Sequence, residues 1–203
     1  MAYIHTYLNG SSGGTDGTLV SEGTGLSPIT CTLNSTNNEV SSPIKLAIRC
    51  DSGYQSTSDI VIIPIGLSTT VSGTNNSGQA VLNVTSATGY SKGETIVIGT
   101  GGTVETKVIS SISVNAITLT TNLVNTHSNG ETIVSQSYLK WALAPDNSGS
   151  AGTFGDYGTG LTISSVVGAT NTIFWIMAKS TSDEIPMNDI SCSLQVTTTI
   201  GAV

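Results

Sequence analysis

The sequence predicts an all-β protein, and three observations support this fold class. Only 9% of the 203 residues are charged, and Ser, Thr, Asn and Gly are abundant in place of the charged residues typical of disordered chains. Threonine and β-branched apolar residues recur in short runs, which suits a pleated surface. Turn-forming Gly and Asn separate these runs at close intervals. A chain of this length forms one large or two small domains.

The first 25 residues are predicted to form a flexible N-terminal arm. Residues 9–25 are dominated by Gly, Ser and Thr, a composition typical of linkers and not of packed elements. Residues 3–8 alternate weakly between apolar and polar side chains. They are expected either to form an edge strand or to become ordered only against a partner.

Seven strands are predicted in the segments 26–71 and 137–203. Alternation places Ile44, Leu46 and Ile48 on one face of the second of these strands. The predicted strands are residues 29–33, 43–50, 60–65, 138–144, 161–167, 172–179 and 190–200. Seven short antiparallel strands over about 100 residues are typical of an immunoglobulin-like or fibronectin-III-like sandwich. Trp175 is expected to be buried in its core and Trp141 at least partly so.

The middle of the chain, residues 72–136, is predicted to be a small β-barrel-like domain inserted in a loop of the sandwich. The pentapeptide Gly-Glu-Thr-Ile-Val occurs twice, at 93–97 and 130–134, each time after a polar turn. A turn glycine followed by a β-branched run indicates the start of a strand, so the module is expected to contain two similar halves. Its predicted strands are residues 80–84, 95–98, 104–109, 116–119 and 131–135, after a linker at 68–78.

Charge and hydropathy argue against several classes of partner. The net charge is −7 with only 6 Lys and Arg residues, and no basic run is present to neutralise phosphates, so nucleic acid is not an expected partner. The same scarcity argues against binding to an anionic membrane surface. The longest apolar runs are too short to span a bilayer, and the N-terminus lacks a basic start followed by an apolar core. The chain is therefore expected to be made in a cytoplasm and to stay soluble.

The module resembles a small repeated-strand domain of many tailed-phage and prophage structural proteins and of some bacterial surface proteins. The residues that carry the resemblance are 84–98 (Val-Thr-Ser-Ala-Thr-Gly-Tyr-Ser-Lys-Gly-Glu-Thr-Ile-Val-Ile), 105–109, 119–123 and 126–134 (Thr-His-Ser-Asn-Gly-Glu-Thr-Ile-Val). The flanking sandwich is similar to phage head or tail proteins with immunoglobulin-like folds, on its strand pattern and Phe174-Trp175.

The resemblance implies a non-enzymatic bacteriophage structural protein located in the virion. It would act in capsid decoration, in the head or neck, or in the tail or fibre, as a homo-oligomer in contact with other virion proteins. It implies no catalytic residue and no cofactor. The alternative is a bacterial surface adhesin or carbohydrate-binding module, in which exposed Trp and Tyr stack on a host-surface glycan. An enzyme is the least favoured class, because no metal, dyad or triad constellation is visible.

Two features resemble catalytic or phosphate-binding motifs. His127 as a general base would need a nucleophile and an orienting acid, but its expected neighbours are Thr126 and Ser128, with no paired carboxylate in the pattern. A structural turn histidine is the favoured interpretation. Residues 99–102 (Gly-Thr-Gly-Gly) precede a strand and not a helix, so a hairpin turn is predicted there and not a phosphate loop. No residue is predicted to be catalytic, cofactor-binding or metal-binding.

Oxygen-rich and thiol side chains leave two alternatives open. The loop 180–189 contains Asp183, Glu184, Asn188 and Asp189, which could hold calcium, but the spacing matches no known calcium loop and a solvated acidic loop is favoured. The three cysteines, Cys31, Cys50 and Cys192, have no metal-ligand spacing and are expected to be buried thiols. A Cys31–Cys50 bridge between neighbouring strands is the alternative.

Overall fold

Short antiparallel strands make up the structure, a computed structural model that describes residues 3–20, 22, 28–35, 37–181 and 184–203. The strands are β1 (Ile4–Leu8), β2 (Thr18–Leu19), β3 (Ile44–Cys50), β4 (Tyr54–Ser56), β5 (Ile60–Gly66), β6 (Ser68–Thr70), β7 (Val81–Asn83), β8 (Thr95–Ile98), β9 (Glu105–Ser113), β10 (Ala116–Leu119), β11 (Thr132–Ser135), β12 (Trp141–Asn147), β13 (Ser150–Ala151), β14 (Leu161–Ile163), β15 (Thr172–Ala178), β16 (Cys192–Thr197) and β17 (Ile200–Ala202). Two 3-10 turns, Gly101–Thr103 and Ser137–Lys140, are the helical elements of the described residues. The all-β prediction is confirmed.

Two sheets outside the module pack face to face. One has six strands in the order β13-β12-β15-β3-β1-β2, and the other has three in the order β14-β5-β16. Their shared core contains Leu46 and Phe174 from the first sheet and Ile60 and Ile62 from the second. In β5 the buried Ile60 and Ile62 alternate with more exposed residues, whereas β3 is buried without a break from Leu46 to Ile48.

The strand order differs from the immunoglobulin-like arrangement that the sequence predicts. That arrangement places the first, second, fourth and fifth strands in one sheet. Here the second, fourth and sixth predicted strands (β3, β12, β15) share one sheet, and the third, fifth and seventh (β5, β14, β16) share the other. Residues 29–33, predicted as the first strand, are not in a strand. Periodicity identifies strands but not their partners, which depend on contacts between distant parts of the chain.

Residues 4–19 are part of the six-stranded sheet and do not form the flexible arm expected there. β1 pairs with β3 over its whole length, from Ile4 opposite Cys50 to Leu8 opposite Leu46, and β2 pairs with β1. Gly10, between these strands, allows close packing on β3. A Cβ at Gly10 would lie 2.9 Å from that of Ala47. The edge-strand alternative for residues 3–8 therefore describes this part of the chain better.

Only one of the two adjacent aromatic residues in β15 reaches the core. Phe174 is fully buried, whereas Trp175 on the opposite face is half-buried and donates from its indole nitrogen to Asp146 Oδ1 at 2.9 Å. The predicted burial of Trp175 is wrong, because successive side chains of a strand point to opposite faces. Trp141 packs partly against the core, as predicted.

The module is a second six-stranded sheet around its own apolar cluster. Its order is β6-β11-β8-β9-β10-β7, and its edge strands β6 and β7 meet at the bridge between Val71 and Val84. The cluster consists of Val71, Leu82, Val84, Ala87, Tyr90, Ile96, Ile98, Ile109, Ile117, Leu119, Leu123 and Ile133. The predicted strands 95–98 and 116–119 match β8 and β10. The predicted linker 68–78 is corrected, since it begins with strand β6.

The chain enters and leaves the module side by side. Entry strand β6 pairs with exit strand β11, with Ser68 opposite Val134. Just before β6, a Cβ at Gly66 would lie 1.9 Å from the carbonyl oxygen of Ser135, so no side chain fits at this crossing. None of the described residues forms a helix long and apolar enough to cross a membrane.

Candidate functional site

The two copies of the pentapeptide form the same local turn. The glycine has a φ of 89° at Gly93 and 87° at Gly130, a left-handed conformation that strains other residues. In each turn a serine amide donates to the glutamate carboxylate three residues later: Ser91 N to Glu94 Oε2 at 2.8 Å, and Ser128 N to Glu131 Oε1 at 2.9 Å. The turn is thus specified locally, by the serine, the glycine and the glutamate.

The second turn leads into an ionic group that we call the His127 cluster, formed by the buried Glu105, Lys107 and His127 and the partly exposed Glu131. His127 is fully buried. Its Nε2 lies 2.7 Å from Glu105 Oε1, and its Nδ1 lies 2.7 Å from Glu131 Oε2. Lys107 Nζ lies 3.0 Å from Glu105 Oε2 and donates to the carbonyl of Asn122 at 2.6 Å.

Both carboxylates of the His127 cluster are held in the ionised form. Burial raises the pKa of Glu105, but hydrogen bonds led by those from the Val124 amide and His127 lower it to about 2. The amide of Ser128 and the ring of His127 lower the pKa of Glu131. An ionised carboxylate only accepts hydrogen bonds, so the ring of His127 lies between the two carboxylates as a hydrogen-bond donor.

The expectation that His127 has no paired carboxylate is wrong, since two carboxylates flank it. Glu131 comes from the same turn, but Glu105 lies 22 residues away in β9. Gly99 makes room for the arrangement, because a Cβ there would lie 2.9 Å from Glu131 Oε2. Residues 99–102 connect the antiparallel pair β8 and β9, as a hairpin turn should.

The first turn places Glu94 where the module meets the sandwich. Glu94 is 2% exposed, and no group of the described residues donates a hydrogen bond to its Oε1. Burial raises the pKa of Glu94, and the charge of Asp189 adds to the rise, although the nearby hydroxyls of Ser135 and Ser191 oppose it. Glu94 therefore retains a proton to higher pH than an exposed glutamate.

A chain of polar contacts continues from this point into the sandwich. Ser135 Oγ in β11 lies 3.0 Å from Ser191 Oγ, and Ser191 donates to Asp189 Oδ1 from its hydroxyl at 2.6 Å and its amide at 3.0 Å. Lys140 Nζ donates to Asp189 Oδ2 at 3.0 Å and to Glu184 Oε1. We call Glu94, Lys140, Glu184, Asp189 and the two serines the junction cluster.

A cleft of about 220 Å³ opens beside the junction cluster. Trp141, Ile185 and Met187 line it together with Lys140 and Asp189. Across the described residues, no group of three or more His, Cys, Asp or Glu side chains is arranged to hold a metal ion.

The predicted acidic loop is engaged with a cation of the chain itself. Glu184 and Asp189 both bind Lys140, so their carboxylates are shared with an ammonium group and are not simply solvated. Asp183 lies outside the described residues. Fewer carboxylate oxygens of this loop are therefore free to bind a calcium ion than the sequence suggests.

The three cysteines are free thiols in three different surroundings. Cys50 is buried in β3, where its thiol donates to the carbonyl of Val167 at 3.3 Å. Cys192 is half-buried at the start of β16. Cys31 is exposed, so its predicted burial is wrong, and the alternative bridge to Cys50 is not formed.

Sequence reasoning identified His127, Glu184 and Asp189 as candidates but missed the residues that they meet. No sequence signal predicts the contacts of Glu105, Lys107 and Lys140, because distant segments of the chain bring them to the clusters. One signal was present: the repeated pentapeptide contains a glutamate inside an apolar strand start, an unfavourable place for a charge without a partner.

Comparisons with known proteins complete the description. No protein-family model and no curated protein match the chain. Among solved structures, VP17, a capsid protein of bacteriophage P23-77, has 14% identity and a TM-score of 0.28, over 86% of this chain and 90% of that one. The VP16–VP17 complex of the two major capsid proteins of the same phage has 14% identity and a TM-score of 0.24, over 84% and 94%. TM-scores this low do not show a shared fold, so no inference is drawn from these neighbours.

Proposed function

We propose that the chain is a non-enzymatic structural protein of a bacteriophage virion. It acts by assembling with copies of itself and with other virion proteins, and its localisation is the virion. The phage assignment rests on the resemblance of residues 84–134 to the repeated-strand domain of phage structural proteins. The assembly role rests on the two edges of the sandwich, which differ in how they are covered.

The outer edge of β12 is covered by the chain itself. A glycine-spaced segment runs beside it, and its amides donate to successive alternate carbonyls of the strand: Gly152 to Pro145 at 2.9 Å, Gly155 to Leu143 at 3.0 Å and Gly158 to Trp141 at 2.8 Å. The segment is not itself a regular strand over this stretch, so it ends the sheet there. A covered edge of this kind protects a sheet against adding a further strand.

The outer edge of β16 is the observation that carries the proposal. Among the described strands, β16 pairs with β5 alone. Its six residues, Cys-Ser-Leu-Gln-Val-Thr, include neither charge nor proline, the usual devices that keep a sheet edge from pairing. Ser193, Gln195 and Thr197 are exposed along it. Such an edge suits addition of a strand from another subunit.

The module fits the role of an appendage on an assembled shell, tail or fibre. It buries its own apolar cluster and joins the sandwich through the neighbouring strands β6 and β11. We propose the domain division 26–71 with 137–203 for the sandwich and 72–136 for the inserted module. Capsid decoration is the finer assignment that this arrangement favours.

Light scattering and negative-stain electron microscopy of the purified chain test the assembly role. We expect rings, sheets or filaments at high concentration, and a folded monomer when Gln195→Lys places a charge on the β16 edge. Thr153→Lys, at an exposed position of the segment that already covers β12, is the matched control and should assemble normally. A monomeric wild-type chain that is also absent from purified phage particles by mass spectrometry contradicts the proposal.

The alternative of an adhesin or carbohydrate-binding module has one surface feature in its favour. Tyr3 and Tyr54 stack with ring centroids 4.3 Å apart, and Tyr3 is 40% exposed. Binding of a host-surface glycan by the monomer on a glycan array, lost in Tyr3→Ala, would favour this alternative over virion assembly.

A further inference from the structure

Lys140, Glu184 and Asp189 bring an amine and two carboxyl groups together between the two sheets of the sandwich. Lys140 ends a 3-10 turn directly before β12 of the six-stranded sheet, and Asp189 lies three residues before β16 of the three-stranded sheet. The Nζ atom lies 3.0 Å from Asp189 Oδ2 and also contacts Glu184 Oε1. All three side chains are at most 22% exposed.

The carboxyl group of Asp189 is polarised in one direction. Its Oδ1 accepts two hydrogen bonds from Ser191, from the hydroxyl at 2.6 Å and from the amide at 3.0 Å, while its Oδ2 faces Lys140. Donors aimed at one oxygen stabilise negative charge that develops there when a nucleophile adds to the carbon. The amine is thus held beside a carboxyl carbon whose other oxygen already has such donors.

We propose that Lys140 and Asp189 form an intramolecular isopeptide bond, with Glu184 as the group that transfers protons. The new bond joins Lys140 Nζ to Asp189 Cγ, and the bond from Cγ to Oδ2 breaks. One ammonium and one carboxylate become one amide and one water, so no oxidant, reductant or activated co-substrate is needed. This inference does not depend on the virion role.

The reactant is an ion pair, so a proton must move first. Burial lowers the pKa of Lys140, but Glu184 and Asp189 raise it above its ordinary value. Burial raises the pKa of Asp189, but Ser191 and Lys140 lower it. Glu184 contacts Nζ directly, and it can take one proton from the ammonium and deliver it to Asp189 Oδ2.

The addition and the loss of water then follow from the same contacts. The neutral amine attacks Cγ, and the negative charge on Oδ1 is stabilised by the two donors of Ser191. Glu184 takes a second proton from the nitrogen and passes it to the Oδ2 hydroxyl, which leaves as water. The carboxyl group of Asp189 needs no activating co-substrate, because the fold already holds it in contact with the amine.

The intact mass of the folded chain gives a direct test. We expect the wild-type chain to be lighter by one water than its sequence requires, and Lys140→Arg to have its full mass. After trypsin, the fragments 108–179 and 180–203 should remain joined, with no cleavage after Lys140. Lys179→Arg is the matched control, since Lys179 Nζ lies over the ring of Tyr157, and this variant should still lose the water.

Glu184→Gln tests the role of the proton-transfer group while both bonding partners stay in place. We expect its full mass, with a β-type circular dichroism spectrum that shows the variant is folded. A Glu184→Gln chain that loses water as completely as the wild type overturns the role of Glu184. A folded wild-type chain that keeps its full mass after prolonged incubation overturns the isopeptide bond itself.

Discussion

The two Gly-Glu-Thr-Ile-Val turns have one sequence and one backbone geometry, but their carboxylates lie in opposite electrostatic surroundings. Glu131 belongs to the His127 cluster, and its pKa is lowered by the Ser128 amide and the ring. Glu94 lies at the junction with the sandwich, where burial and the charge of Asp189 raise its pKa. The surroundings of the second turn therefore stabilise the ionised form of Glu131, whereas those of the first turn destabilise the ionised form of Glu94.

The difference shows which property of a repeat is local. The serine amide, the left-handed glycine and the glutamate specify the turn within four residues, so both copies fold alike. Beyond the serine bond the two carboxylates differ. Glu131 Oε2 lies 2.7 Å from His127, which directly precedes the serine of its turn, where the first turn has Tyr90. Glu94 Oε1 accepts no hydrogen bond from the described residues. The chemistry of each glutamate is therefore set by the residue before the serine and by the tertiary contacts of its turn.

Removing the histidine should produce the largest effect on this comparison. His127→Ala leaves Glu105 and Glu131 without the ring that lies between them, and breaking such a buried pair costs about 3–5 kcal/mol of unfolding free energy. Urea denaturation followed by circular dichroism measures this loss. His5→Ala is the control, because His5 pairs with the half-exposed Glu22 and such a pair contributes about 0–1 kcal/mol. Equal losses in the two variants would contradict the assignment of His127 to an ionic cluster.

Acid should weaken the second turn through Glu105. A carboxylate whose pKa is lowered on folding contributes stability above its unfolded pKa, and this contribution is lost as the pH falls through the folded value. For Glu105 the window runs from the ordinary glutamate pKa of 4.5 down to a pKa of about 2. The urea midpoint of the wild type should fall steeply across this window, and that of Glu105→Gln less steeply. Parallel curves for the two chains would show that Glu105 is not ionised in a stabilising pair.

Strands were more predictable than their partners. The bounds of β8 and β10 follow from turn glycines and β-branched runs, which are local signals. The sheet order of the sandwich did not follow, because β5 could equally have paired with other apolar strands on periodicity alone. The Gly, Ser and Thr content of residues 9–25 predicts a flexible arm, because it is typical of linkers, whereas Gly10 in the structure packs closely on Ala47.

The clusters were harder to predict than the strands, for a related reason. The pattern around His127 offers only Thr126 and Ser128 as neighbours, while Glu105 reaches the ring across 22 residues of chain. Lys140 and Asp189 are 49 residues apart and meet because their strands belong to facing sheets. Local sequence does not indicate contacts between residues so far apart in the chain, and no motif in this sequence marks these two contacts.

The same substitution made in each turn tests the central claim most directly. Glu131→Gln removes the charged acceptor beside His127, and hydrogen bonds to charged groups contribute about 1.5–3 kcal/mol, so this variant should be less stable than the wild type. Glu94→Gln removes a carboxylate whose pKa is raised on folding. Such a carboxylate makes folding less favourable as the pH rises above 4.5, the ordinary glutamate pKa. It also supplies an amide donor beside Ser135 and Ser191, and it should gain about 1 kcal/mol at neutral pH.

Both glutamines keep the oxygen that accepts from the serine amide, so each variant preserves its turn and the two are matched. The measurement is the free energy of unfolding of both variants by urea denaturation at neutral pH, with the wild type beside them. The account predicts opposite signs, a loss for Glu131→Gln and a gain for Glu94→Gln. Losses of the same size in both variants would contradict it, because the two carboxylates would then contribute equally to the free energy of unfolding.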